Sequence, residues 1–254
     1  MVFERIPICN VTKKYVNLQT IYYKKTNISA MTLQEAISAR HSVRQYLAKA
    51  VEAETAAKIQ AAIDSANREG GVHIQMILND PTAFASGLAK YGKFQNVNNY
   101  LAVVAPKGKE GDVKAGYYGE LIVLTMQALG LNSCWVGLTF KKNKSSYYIG
   151  PDEELKCVIA FGYGVDSGKQ HPQKKTLKDV VVNKSGSDVL PDWFVKGVEA
   201  ALLAPTAVNQ QKFEFTLNAD GTVEVKTKFS IVGYTHIDLG IVKCHFEIAS
   251  GKKI

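Results

Sequence analysis

Two short segments of this chain carry residue types suited to binding chemistry. Arg40-His41-Ser42-Val43-Arg44 sets two guanidinium groups, an imidazole and a hydroxyl on five consecutive positions. Guanidinium forks and hydroxyls are the donors that a phosphate, or the electron-rich edge of a ring, requires. Far downstream, Ala204-Pro205-Thr206-Ala207-Val208-Asn209-Gln210-Gln211 offers a proline-stiffened turn carrying Thr206 and Asn209. The two segments read as halves of one anion-and-ring site. A plainer reading stays open beside it, with Arg40 and Arg44 as solvated charges at a helix end and Ser42 as a turn cap.

These segments need elements to hold them. Thr32 followed three residues later by Glu35 is a capping box, and Leu33, Ala36 and Ile37 give a short amphipathic helix ending near Arg40. Glu54 to Asn67 reads as a second helix, with Ala57, Ile59, Ala62 and Ile63 as an imperfect apolar stripe. After Gly70-Gly71, the alternation Val72, Ile74, Met76, Leu78 predicts a strand with one face buried. The continuous apolar run Tyr100 to Ala105 predicts a central strand. Ala115 to Leu129, apolar almost all round, predicts a buried helical spine closed by Gly130. Cys134 to Leu138 reads as a tight turn into a strand or loop, Leu155 to Tyr163 as a strand, and the polar, basic stretch Ser167 to Lys175 as a loop.

The tail looks like a shortened copy of this pattern. Trp193 to Ala204 reads as a helix, Phe213 to Leu217 as a strand, Asn218-Ala219-Asp220-Gly221 as a hairpin turn and Asp238 to Ser250 as a helix. Aligning Leu217 with Leu78 superposes helix on helix, and a second offset aligns Gly240 with Gly119 and Gly251 with Gly130. The division expected is an N-terminal extension over 1–30, a first half over 31–185 and a shortened second half over 186–254.

Bulk properties narrow the function. A chain of 254 residues with 46% hydrophobic content can bury a substantial core. The net charge of +8 comes from scattered lysine pairs rather than one basic helix, and no RNA or DNA motif accompanies them, so no nucleic-acid partner is expected. Cys9, Cys134, Cys157 and Cys244 lie far apart with no CxxC, which predicts free thiols in a reducing cytoplasm, and the histidines show no zinc spacing. No apolar stretch approaches membrane-spanning length and no signal-peptide core is present, so a soluble cytoplasmic protein is expected. Gly162-Tyr163-Gly164 invites a dinucleotide reading, but its third glycine, Gly168, is out of register.

Together, Arg40-His41-Ser42-Val43-Arg44-Gln45-Tyr46, Gly130-Leu131-Asn132-Ser133-Cys134-Trp135-Val136-Gly137 and Ala204 to Gln211 resemble the nitroreductase family of FMN-dependent oxidoreductases, over residues 31 to 250 or so. The order departs from the usual family pattern, in which the Pro-Ser-Asn segment follows the Arg-Ser segment closely; here it comes last. Family members are intertwined homodimers that build each FMN site from both subunits. One copy of each segment on two related halves is therefore similar to that dimer fused into one chain. The resemblance implies an α+β, nitroreductase-like fold with a central, mostly antiparallel sheet flanked by helices, a pseudo-dimeric internal duplication, a monomer, and one FMN per chain.

Carried over by this resemblance, Arg40 and Ser42 would grip the FMN phosphate or ribityl chain with His41 beside them, and Arg44 would approach the N1/O2 edge of the ring. Trp135-Val136-Gly137 would present backbone to the ring's N4/N5 side. Lys174 and Lys175 would help hold the phosphate. Pro205, Thr206 and Asn209 would contact the ring from the second half, and Asn98 would partner its pyrimidine. Trp135 also fits plain core packing, and Lys174-Lys175 is also one more lysine pair in a lysine-rich chain. The activity implied is hydride transfer from NAD(P)H through FMN to a nitroaromatic, quinone or related small acceptor, by ping-pong kinetics and with no catalytic side chain. Two alternatives stay open: an FMN-binding protein without turnover, and a basic interaction module with a degenerate pocket.

Overall fold

Helix α1 (Leu33–Ala39) starts with the capping box that its sequence dictates. The Thr32 hydroxyl accepts the Glu35 N–H at 3.1 Å, and the Glu35 carboxylate accepts the Thr32 N–H at 2.7 Å. Arg40 caps its other end. The computed structural model describes residues 31–254 except 86, 88–90, 143 and 144, so the expectations for 1–30, Cys9 included, lie outside the described residues.

Besides short helical turns at Pro81–Phe84, Leu177–Val180 and Ala207–Asn209, the elements that follow in chain order are α2 (Ala53–Gly70), β1 (His73–Ile77), β2 (Asn99–Pro106), α3 (Lys109–Ala128), β3 (Asn132–Val136), β4 (Glu153–Gly162), β5 (Val181–Asn183), α4 (Asp192–Leu202), β6 (Phe213–Leu217), β7 (Val223–Thr227) and α5 (Thr235–Ser250). Four strands form a wholly antiparallel sheet in the order β1-β2-β4-β3. A second sheet, β5-β6-β7, pairs β5 with β6 in parallel and β6 with β7 as a hairpin. The fold is α+β, as expected, but its strands divide between two sheets. β5, ahead of residue 185, already belongs to the second one.

The run Tyr100 to Ala105 is apolar throughout because both faces of β2 are covered. Leu101, Val103 and Ala105 pack with Ile59, Ile63 and α3, while Tyr100 and Ala102 pack with Val43, Tyr46 and Phe94 on the other side. Ile59 and Ile63 carry the α2 stripe; Ala57 is exposed and Ala66 takes its place in the core. Each fully buried isoleucine contributes about 1.5–3 kcal/mol. Gly130, at φ 81, closes α3 in the left-handed region, and Leu131 N–H returns to the Met126 carbonyl at 2.9 Å. Residues 132–136 form an edge strand, so the turn expected at Cys134 comes one strand later, at Gly137.

Both halves run helix, strand, strand, helix: α2-β1-β2-α3 and α4-β6-β7-α5. α3 and α5 cross where two glycines meet. A methyl on Gly116 would lie 2.0 Å from the Ile237 carbonyl oxygen, and one on Gly240 would lie 2.0 Å from the Val113 carbonyl oxygen. Ile237 precedes Gly240 by three residues, and Val113 precedes Gly116 by three. Such reciprocity is the mark of a two-fold relation. It pairs Gly240 with Gly116, one turn earlier than the Gly119 chosen by sequence alignment. Gly119 serves instead as the seat of the Trp135 ring. Among the described residues, no helix is long and apolar enough to cross a membrane.

Candidate flavin site

The Arg40 segment reaches the site by joining the edge of the first sheet. Val43 N–H donates to the Ser133 carbonyl at 3.0 Å beside a Ser42–Ser133 bridge, and the buried Tyr46 hydroxyl donates back to the Val43 carbonyl at 2.7 Å. Val43 and Tyr46 therefore face the core while Arg44 is exposed.

Two adjoining cavities lie between the halves. The larger, about 500 Å³, lies in the range of small-molecule sites. Its walls include Ser42, Arg44, Trp135, Val136, Gly137 and Lys174 from the first part of the chain and Pro205, Thr206 and Asn209 from the second. The smaller, about 30 Å³, admits one small group rather than a ring. It is lined by Arg40, His41, His171, Asn209 and Gln211, and shares His171, Pro172 and Asn209 with the larger cavity. Arg40 and Asn209 thus border one cleft. Asn98 and Lys175 line neither cavity: the Asn98 carbonyl accepts the Asp80 N–H, and Lys175 exerts its charge on Asp179. The lysine pair is split because neighbouring side chains on an extended strand of chain diverge, and only Lys174 faces the cleft.

The small cavity is electropositive and incompletely hydrogen-bonded. His171 is held below the usual histidine range by burial and then by the charges of Arg40, Arg44, His41 and Lys174; His41 is lowered by burial and by Arg40. Arg40 is 4% exposed, and its nearest carboxylate, Glu120, lies 3.8 Å from Nε. Among the described residues, the buried side-chain nitrogen and oxygen atoms without a partner are Arg40 Nε and Nη1 and Gln211 Oε1. All three belong to residues of this one cavity. Buried polar groups are rarely left so, and two donors with an acceptor match a phosphate ester next to a hydroxylated chain.

The ring-sized cavity is built from fixed parts. Trp135 serves both readings open at the sequence level: its ring packs on Gly119, its indole N–H donates to Glu120 at 2.8 Å, and it lines the cavity. The Pro205 turn is unusual. Val208, Asn209 and Gln211 all have positive φ, 48°, 53° and 46°, which is costly for β-branched Val208. Tyr234 closes the far wall, its hydroxyl donating to the Gly137 carbonyl at 3.0 Å. Sequence reasoning missed His171, Gln211, Tyr234 and Asp238. Gln211 lay inside a quoted motif; the others carry no local signal and are brought in by the fold. Cys134, Cys157 and Cys244 are free and buried, as expected.

Comparison with known proteins identifies this two-sheet α+β fold with a cleft between two halves. Residues 32–250 match the family described as "Putative TM nitroreductase", and the chain belongs to that family. Among solved structures, a "putative nitroreductase" from Thermotoga maritima is 23% identical, with 88% of this chain and 86% of that one covered, at a TM-score of 0.63. This likeness shows the nitroreductase fold. Shorter chains align more loosely. An FMN-dependent nitroreductase from Clostridium difficile is 20% identical over 57% of this chain and 95% of its own, with TM-score 0.45. A "putative nitroreductase" in complex with FMN from Desulfovibrio desulfuricans is 18% identical over 61% and 95%, also at 0.45. No curated protein matches the sequence.

Proposed function

We propose that this chain is an FMN-dependent oxidoreductase that passes hydride from NAD(P)H to a small acceptor such as a nitroaromatic or quinone. The observation that carries the reading is the set of unpartnered Arg40 and Gln211 atoms in a buried, cationic recess that opens into a ring-sized cavity. The residues fit the cofactor. Arg40 and Gln211, with His41 and His171 beside them, would take the phosphate end, and Ser42 the ribityl chain. Arg44 and Lys174 supply positive charge along the larger cavity, while Trp135 to Gly137 and Pro205 to Asn209 form its two walls.

When bound, FMN supplies two-electron chemistry that no side chain here provides. The protein's part is to orient the ring and to charge its surroundings. A cation such as Arg44 at the ring edge favours the electron-rich reduced state and so eases hydride acceptance. Leu138, Val208 and Val232 leave the mouth apolar and exposed, so donor and acceptor would use the same opening in turn, which is ping-pong order.

The test is spectroscopic. Purified protein, as isolated or after addition of FMN, should show bound-flavin absorbance, and anaerobic mixing with NADPH or NADH should bleach it within seconds. Colour that persists with both nucleotides would make the chain an FMN carrier instead. Failure to take up any flavin would end the flavin reading.

A further inference from the structure

Behind the strained Pro205–Gln211 turn stands a carboxylate that cofactor binding leaves unused. Asp238, in the first turn of α5, is 6% exposed. One oxygen accepts the Ala207 N–H at 2.9 Å and the other accepts Gln210 Nε2 at 2.7 Å. Gln210 relays the restraint: Nε2 also donates to the Gly233 carbonyl at 3.1 Å, and Oε1 accepts the Ser230 hydroxyl. Ser230 Oγ in turn accepts the Val232 N–H at 3.1 Å. Val208 on the turn, and Val232 and Tyr234 on the loop, line the ring-sized cavity. Gln210 thereby joins the two loops directly, and the buried carboxylate fixes both Gln210 and the Ala207 backbone of the turn. Backbone at positive φ needs such over-determination to persist.

We propose that Asp238 is a positioning residue whose ionised carboxylate, through Gln210, locks the 205–211 turn and the 228–234 loop into one wall of the cavity, and whose protonation releases that wall. The effect on FMN rests on the proposed flavin site; the effect on the two loops does not.

The geometry explains why charge matters. Gln210 Nε2 already donates to Gly233, and its Oε1 is committed to Ser230, so its side chain cannot turn over without losing both. Only an acceptor at Asp238 Oδ2 suits it. Burial raises the Asp238 carboxyl to about 6, against the opposing pull of the Ala207 N–H and Gln210 bonds. The lock therefore holds above pH 6 and loosens as pH falls through that value. Other ionisable groups face the same cavity: Arg44, His171 and Lys174 across it, Cys157 on β4 and Tyr234 at its side; His236 stands two residues before Asp238 on α5.

Asp238→Asn copies the protonated state, since its Oδ1 still accepts from Ala207 while its amide nitrogen meets Gln210 donor to donor. FMN affinity of wild type and variant is measured by fluorescence titration from pH 8 to pH 5. The variant should bind about tenfold more weakly at pH 8, as loss of a charge-assisted bond implies, and the ratio should shrink toward one at pH 5. Taking the ratio cancels the titrations of His41, His171 and the phosphate itself. Independently, hydrogen exchange of 204–212 and 228–234 in FMN-free protein should be faster in the variant at pH 8, and wild type should approach it as pH falls. Gln210→Ala, which leaves Asp238 intact, should loosen 228–234 in the same way and stands in if Asp238→Asn does not fold. A pH-independent affinity ratio together with unchanged exchange in both loops overturns the proposal. Absence of FMN binding by wild type would sink the flavin reading while the exchange data still judge Asp238.

Discussion

Arg40 keeps its charge for the cavity because its nearest carboxylate is already engaged. Glu120 is fully buried and binds Trp135 Nε1 with one oxygen and His245 Nε2, at 2.9 Å, with the other. His245 Nδ1 lies 3.0 Å from the Ala200 carbonyl, which can only accept, so that nitrogen carries a proton. Glu120 is taken up by Trp135 and His245, and Arg40, held 3.8 Å away, is left with two unpartnered nitrogens. Replacing Arg40 by alanine should weaken FMN binding by about 1.5–3 kcal/mol, the range for a charged hydrogen bond. An FMN titration that does not move would remove Arg40 from the site. Arg40 was legible in the sequence because its neighbours Ser42 and Arg44 complete a recognisable donor cluster. Glu120 and His245 were not, since 125 positions separate them and each sits inside a helix that otherwise reads as core.

At the level of elements, the decisive contact is the α3–α5 crossing. At Gly116 and Gly240 the backbones approach so closely that an added Cβ would collide with a carbonyl, which unlike a side chain cannot swing aside. Gly116→Ala should therefore destabilise the protein by about 2–3 kcal/mol, the upper range for overpacking. Thermal unfolding that matches wild type would contradict that crossing. The helices themselves were readable from the Thr32–Glu35 box, the α2 stripe and the Gly130 and Gly251 ends, because these signals are local. The register between copies was not, because sequence offers several glycines one turn apart and only packing chooses between Gly116 and Gly119. The separation of the strands into two sheets was hidden for the same reason, as pairing partners leave no mark in a single strand's pattern.

For the whole molecule, the two-fold relation is broken at the point where it would build a second site. In the second half the helix stops at Leu202 and the chain forms the Pro205 turn. In the first half α2 runs on to Gly70, the Asn67 side chain clasps the Ile74 backbone at 2.8 and 2.9 Å, and the Tyr118 ring covers Gly70. The space is filled by the protein's own groups. We expect one FMN per chain on a monomer, measured as flavin-to-protein absorbance ratio together with mass by light scattering; two flavins per chain, or binding seen only in a dimer, would contradict this.

The glycine pair has one more effect. Trp135 rests on α3 one turn beyond Gly116, and Asp238 backs the opposite wall from α5 two residues before Gly240. How far apart those walls stand, and so whether a planar molecule slips in snugly or rattles, is gauged by the two methyl groups that are missing where the helices touch.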